Sequence, residues 1–231
     1  SAIKIVSKEK RFLFRTAASF INSLSGLPPN PQSTADLVSL KSGSNKFKYK
    51  SGLIIVGSHV TLASNQLKVL LKDNSCEGLE IPVSKLADIF VLENCQKAIL
   101  EIENDLLSKI NEIVNIKKVP VLYTSRREIK FSSYSERMNF GLELAEFMAI
   151  LVGKTIGKFS YIISKGGITT QLLLQKGLNF NQVILKGQIL PGLSIVQSGS
   201  DKNDLPVVTF PGNLGNEKTL LESFRLMETN F

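Results

Sequence analysis

The chain has no tryptophan, one histidine and two cysteines among 231 residues. A lone histidine, His59, and two thiols at unrelated spacing, Cys76 and Cys95, exclude a His/Cys metal cluster and a disulfide framework. They also leave little scope for histidine-based acid/base chemistry, and no protein metal site is expected. Both cysteines read as small buried apolar side chains, and His59 as a hydrogen-bonded structural residue. No stretch approaches the roughly 18 continuous apolar residues of a membrane span. The first residues, Ser1-Ala-Ile-Lys-Ile, lack the charged-then-apolar layout of a signal peptide, so the expected compartment is the cytoplasm, with no membrane partner.

What the chain does have is apolar material, 43% of its residues against 21% charged, enough for one large core or a core with a small appendage. With 28 basic and 20 acidic residues its net charge is +8, which favours anionic partners. Much of that surplus lies in Lys4 to Arg15 and in Lys41 to Lys50, which read as solvated surface. The segment Lys46-Phe-Lys-Tyr-Lys50 interleaves aromatics with charge as nucleic-acid patches do, but no recognised module surrounds it, and nucleic acid is not the expected partner.

The spacing of Phe14, Ala17, Ala18, Ile21 and Leu24 predicts a helix over 11–24 with those residues inward. From Gly26 to Gly52 the composition turns to Pro, Ser, Asn, Lys and Gly, which predicts a long loop or linker. An alternation follows: a strand at Leu53 to Val56, a helix over 62–71, a brief strand at Leu79 to Val83, and a helix inward at Ile99, Ile102, Leu106, Ile110 and Ile113. Next come a strand at Val119 to Tyr123 and a helix inward at Met138, Leu142, Ala145, Met148 and Val152. An aromatic and β-branched run then ends in Ser164-Lys-Gly-Gly-Ile-Thr-Thr170 and passes into helix over 171–178. Alternating strands and amphipathic helices predict an α/β, Rossmann-like three-layer sandwich with a mainly parallel sheet. After it, strands at Val183 to Leu185, Leu193 to Val196 and Val207 to Phe210 are separated by Gly-Pro turns, so the C-terminal part of the sheet is expected to be mixed or antiparallel. A last helix over 217–227 turns Leu220, Leu221, Phe224 and Met227 inward.

Ligands of open parallel sheets bind beyond the carboxyl ends of the strands. Three such ends carry small hydroxylic or glycine segments: Gly57-Ser58-His59-Val60-Thr61, Thr124-Ser125-Arg126-Arg127 and Ser164 to Thr170. At the last, unpaired amide N–H groups and the absence of Cβ atoms make a phosphate cradle at Gly166 and Gly167. Lys165 is the candidate point charge on a phosphate, and Arg126 or Arg127 a candidate for phosphate or carboxylate. Gly187-Gln-Ile-Leu-Pro-Gly192 and Pro211-Gly-Asn-Leu-Gly215 read either as tight turns or as close approaches to a nucleotide, with Leu190 and Pro191 against its base. Gly153-Lys154-Thr155 imitates the end of a Walker A loop, but Met148 stands where the first glycine belongs, so the segment reads as a helix C-cap. The Gly-x-Gly-x-x-Gly dinucleotide fingerprint is absent.

Six ordered segments, Arg15-Thr-Ala-Ala-Ser-Phe20, Gly57-Ser58, Tyr123-Thr-Ser-Arg126, Lys165-Gly-Gly-Ile-Thr169, Gly187 to Gly192 and Phe210-Pro-Gly-Asn-Leu-Gly215, resemble the C-terminal half of the four-carbon acid sugar kinase family. The resemblance runs from about Arg11 to the end. It implies two domains, of which 53–231 is the ATP-binding one, 26–52 a linker and 1–25 a helix bordering the sugar-acid domain that this chain lacks. It implies ATP contacts at Ser58, at Gly166, Gly167, Ile168 and Thr169, and at Gly212, Asn213, Leu214 and Gly215. Arg15, Arg126, Lys165, Thr170, Gly187 and Gly192 are further candidates for phosphate or substrate. Mg²⁺ would be carried mainly by the nucleotide. The catalytic base is not identified, because the acidic segment expected to supply it lies in the missing half. Where the family continues with a small hydroxyl and an acid, this chain reads Thr170-Gln171-Leu172, and Ser194-Ile195-Val196 stands where relatives place a Trp. The expected partners are ATP or ADP and a sugar acid held by another domain or subunit, with homo-oligomerisation open. The alternative is a non-catalytic interaction or regulatory module that keeps the fold.

Overall fold

Leu53-Ile54-Ile55-Val56 forms β1 (Leu53–Val56) and sends its side chains alternately to two sides. Leu53 and Ile55 join one apolar core, Ile54 and Val56 the other. A strand with period two reads as an unbroken apolar run only when both faces of its sheet are covered. The computed structural model describes residues 8–16, 18–26, 31–42, 51–127, 129–199 and 205–228, and there the sheet has seven strands in the order β2-β3-β1-β4-β7-β6-β5. They are β1, β2 (Cys76–Ile81), β3 (Val119–Thr124), β4 (Ile162–Lys165), β5 (Val183–Leu190), β6 (Leu193–Ser198) and β7 (Val207–Phe210). The pairs β2–β3, β3–β1, β1–β4 and β4–β7 are parallel, while β6 runs antiparallel to both β7 and β5. The expected mainly parallel sheet with an antiparallel C-terminal part is therefore the observed one.

The helices among the described residues are α1 (Ala18–Ser25), α2 (Thr34–Ser42), α3 (Thr61–Leu70), α4 (Val83–Phe90), α5 (Gln96–Asn115), α6 (Tyr134–Gly153), α7 (Gly167–Leu172) and α8 (Thr219–Glu228). A π-turn, Leu173–Gly177, extends α7. Buried residues of α4, α5, α6 and the π-turn meet Ile55 and Leu122 on one face, among them Leu86, Ile102, Leu106, Phe147, Met148 and Leu173. On the other face Leu37 of α2, Leu67 and Leu70 of α3, and Leu220, Phe224 and Met227 of α8 pack on Ile54, Val121, Ile163 and Val208. None of these helices is long and apolar enough to cross a membrane.

Several expectations change in detail. The stretch 26–52, read as loop, carries α2, anchored by Leu37 at 1% exposure. Lys41, read as solvated, is buried and donates to the Met227 carbonyl, and desolvation lowers its pKa. Tertiary anchoring overrides the local composition there. A capping box supports it, with Ser33 N–H on Asp36 Oδ2 at 3.1 Å and Asp36 N–H on Ser33 Oγ at 3.2 Å. Among the described residues the first helix is Ala18–Ser25, residues 11–16 are not helical, and Phe14 and Ile21 are exposed (43% and 57%) where inward positions were expected. The short helix α4 was not expected, nor was the length of β5. Met138 and Leu142 of α6 are exposed where inward positions were expected. Cys76 is buried, with burial pushing its thiol up to about 12, but Cys95 is only partly buried. Residues 43–50, the basic segment with aromatics, lie outside the described residues.

Gly153-Lys154-Thr155 sits at the end of α6, at the sheet edge opposite the carboxyl ends of the parallel strands. Lys154 donates to Glu103 of α5, whose side chain is 5% exposed. Lys154→Ala should cost about 1–2 kcal/mol, between the values for exposed and buried pairs. Calorimetric titration should find nucleotide affinity unchanged in this variant.

Candidate functional site

Because β3, β1, β4 and β7 are parallel neighbours, the loops that leave their carboxyl ends share one edge. The loops after β1 and β7 lead to α3 and α8 on one face, and those after β3 and β4 lead to α6 and α7 on the other, so a crevice opens between them. The segment Gly57-Ser58 bends over the end of β4: the N–H groups of Gly57 and Ser58 both donate to the Lys165 carbonyl, at 3.1 and 3.3 Å. Gly166 N–H donates to the Phe210 carbonyl at 2.9 Å, joining β4 to β7.

The glycines of these loops are where the loops touch. A Cβ on Gly57 would overlap Thr169 Oγ1, and one on Gly212 would overlap Ser58 Oγ. Gly166 has φ +128°, and a Cβ there would come within 3.2 Å of the Ser58 nitrogen and 3.1 Å of Thr169 Oγ1. Gly167 differs: a Cβ on it would meet nothing within 4 Å. The structure thus brings Gly57 and Gly166 against Thr169, and Gly166 and Gly212 against Ser58, with Gly167 and the half-exposed Ile168 on the open side.

Hydrogen bonding separates donors in use from donors available. The amides of Gly57, Ser58 and Gly166 are occupied, and the first bond of α7 runs from Thr170 N–H to the Gly166 carbonyl at 2.9 Å. The N–H groups of Gly167, Ile168 and Thr169 precede it and find no backbone partner among the described residues, nor do those of Gly212 and Asn213. An anion in the crevice would be met by those amides and by the Ser58 hydroxyl.

Lys165 is fully buried, donates to the Pro211 carbonyl at 3.1 Å and lies 3.7 Å over the Phe210 ring. Burial lowers its pKa to about 8, so it remains mostly charged at neutral pH. It fastens the β4 end to the loop after β7 from below. Thr170, likewise buried, donates to the Ser164 carbonyl (3.1 Å) and hydroxyl (2.9 Å). Arg126 donates to the Ser58 carbonyl at 2.5 Å and to that of Val56 at 3.3 Å, tying the β3 end to the β1 end.

Gly192, φ +81°, forms the β5–β6 turn, and a Cβ there would lie 3.0 Å from the side chain of Leu214, so this turn flanks the Gly212 to Gly215 loop. Gly187 lies apart, packed on Gln32, which donates to the Lys186 carbonyl at 2.5 Å. Arg15 is exposed before α1, and no hydrogen bond among the described residues joins it to these loops.

Sequence reasoning passed over Gln66 of α3. It is fully buried and donates through Nε2 to the carbonyls of Leu214 (3.0 Å) and Asn216 (2.6 Å), which fixes the loop after β7. Its place inside an amphipathic helix gave no signal except that an amide occupies an inward position. His59 Nε2 lies 3.0 Å from Thr124 Oγ1, as expected of a hydrogen-bonded residue. Burial first, then Arg126 and Arg137, lower its pKa. No group of three or more His, Cys, Asp or Glu comes together to hold a metal among the described residues.

The sequence model described as the nucleotide-binding C-terminal domain matches residues 53–220. The solved structures similar to this chain include a domain of unknown function from Bordetella bronchiseptica, a domain-swapped dimer with bound citrate, at TM-score 0.60 and 14% identity over 84% of this chain and 44% of that one. A Salmonella typhimurium LT2 protein described as a tRNA synthase follows at 0.56 and 15%, over 82% of this chain and 43% of that one. A Haemophilus influenzae protein matches at 0.53 and 16%, over 80% of this chain and 42% of that one. At such identities the likeness is one of fold. This chain spans less than half the length of each of these proteins. No curated protein matches it by sequence.

Proposed function

Because the chain belongs to the family of nucleotide-binding C-terminal domains, we propose that it is the ATP-binding half of a four-carbon acid sugar kinase, acting on a tetronate-like sugar acid. The observation that carries this reading is the meeting of Ser58, Gly166, Thr169 and Gly212 around an open Gly167, with unpartnered amides on both sides. Such a cradle suits a polyphosphate tail: the amides take its charge, and the glycines admit its oxygens. The apolar residues Leu190, Pro191 and Leu214 beside Gly192 offer a surface for the base. Mg²⁺ travels with the nucleotide, its ligands being phosphate oxygens and water.

In the reaction proposed, a terminal hydroxyl oxygen of the acid bonds to the γ-phosphorus as the bond to the β–γ bridging oxygen breaks. ADP leaves, and the hydroxyl proton passes to a base in the sugar-acid half. Phosphoryl transfer rests on positioning and charge stabilisation, so the chain alone should transfer almost nothing. The partners in this reading are ATP or ADP, a sugar-acid-binding half and, on the pattern of the domain-swapped Bordetella relative, a second copy. The cytoplasm, where ATP is supplied, is its expected place.

Phosphorus NMR with ATP, Mg²⁺ and erythronate tests it. The chain by itself should yield no phosphate ester, and adding a sugar-acid-binding half from a relative should yield one. The second reading, a regulatory module, is favoured by Thr170-Gln171-Leu172, which offers no carboxylate beside the cradle and a Thr170 hydroxyl already bonded to Ser164. Bound nucleotide without any ester in the mixture would establish that reading instead.

A further inference from the structure

Beside the cradle, and sharing Gly57, Ile168 and Thr169 with it, lies a cleft of about 960 Å³ between the loop after β3 and the first half of α6. That volume is at the upper end for sites of small molecules. Four cations line it, Arg126, Arg127, Lys130 and Arg137; Arg126 is held by the Ser58 and Val56 carbonyls, and none of the four has an ion pair among the described residues. No acidic residue lines it among the described residues. The carboxylate on the first turn of α6, Glu136, is turned back on the Ser132 hydroxyl at 2.6 Å and accepts the Ser132 amide. The positive field of this cleft reaches His59, whose pKa Arg137 helps to lower.

The floor is apolar and aromatic. Phe131 and Phe140 lie with ring centroids 5.3 Å apart, Phe140 lies 5.9 Å from Phe90, and Met148 closes the bottom at 1% exposure. Uncompensated cations above such a floor attract an anion, and the floor rewards an apolar body attached to it. A four-carbon polyhydroxy acid would fill little of the volume and leave the rings in contact with water. A nucleotide in the cradle has its own apolar surface at Leu190, Pro191 and Leu214, across the crevice from this cleft.

We propose that this cleft is a second ligand site, beside the nucleotide, for an organic carboxylate with an apolar or aromatic body, held by Arg127, Lys130 and Arg137 over the Phe131–Phe140 floor. The inference rests on the nucleotide reading for its location next to a phosphate donor.

Gly141 provides a clean probe, because it lines the cleft on α6 and a Cβ there would meet nothing within 4 Å. Leucine in its place fills the cleft and favours the helix. Calorimetric titration of the whole chain, with Mg-ADP present, should find 3-phenyllactate bound at least about tenfold more tightly than erythronate, the scale of one well-buried apolar group. Gly141→Leu and Arg137→Gln should each weaken phenyllactate by about tenfold or more and leave Mg-ADP affinity unchanged. Equal affinity for the two acids, unchanged phenyllactate binding in both variants, or one-for-one displacement of phenyllactate by Mg-ADP would each overturn the proposal. Phenyllactate binding to a chain that does not bind Mg-ADP would sink the nucleotide reading and leave the carboxylate site standing.

Discussion

Gly166→Ala is expected to lower the melting temperature by roughly 5–12 °C and to abolish nucleotide binding together with it. At φ +128° and ψ 133° the residue occupies backbone space that only glycine enters without strain, and a side chain there costs about 1–3 kcal/mol. The added methyl also meets Thr169 Oγ1 at 3.1 Å and the Ser58 nitrogen at 3.2 Å, so one of the two loops must shift by a few tenths of an ångström. Relief by rotation of the peptide would break the bond from Gly166 N–H to the Phe210 carbonyl and with it the pairing of the β4 and β7 ends. Together these reach about 2–4 kcal/mol, which for a chain of this size gives the stated shift. Thermal unfolding followed by circular dichroism reads the first effect and calorimetric titration the second. A variant as stable as the parent would mean that the junction is not held in the geometry described.

Gly167→Val, one residue on, should separate the two effects. Its backbone is not in the left-handed region, and a Cβ on it meets open space, so folding should be disturbed by no more than about 1 kcal/mol, the scale of helix propensity. What the valine would occupy is the space over the unpartnered amides of Gly167, Ile168 and Thr169. A phosphate oxygen within hydrogen-bond distance of those amides cannot coexist with two methyl groups in the same place. Loss of two or three charge-assisted hydrogen bonds, each worth about 1.5–3 kcal/mol, should weaken nucleotide at least a hundredfold.

Much of this was legible in the residues, and for physical reasons. The unbroken run Leu53 to Val56 could only be a strand covered on both faces, and the glycines after β4 and β7 sit where three loops touch. Three features escaped. Helix α2 arises from burial of Leu37 and the bond from Lys41 to Met227, more than 180 residues away, and only its Ser33-x-x-Asp36 box was local enough to be read. Lys165 looked like a phosphate ligand because it neighbours the glycine pair. The alternation of β4 instead turns it beneath the loops, on to Pro211 and Phe210. Neighbours in sequence point to opposite sides of a strand, so adjacency to a site is not membership of it. The basic cleft escaped for a related reason, since its cations come from two elements whose approach no local pattern records.

The most direct measurement is a calorimetric titration of Mg-ATP into the parent chain and into Gly167→Val, with both proteins shown to melt at the same temperature. Saturable binding in the parent and none at the same concentrations in the variant is the outcome the cradle requires. Equal binding in the two, or no binding in either, would contradict it.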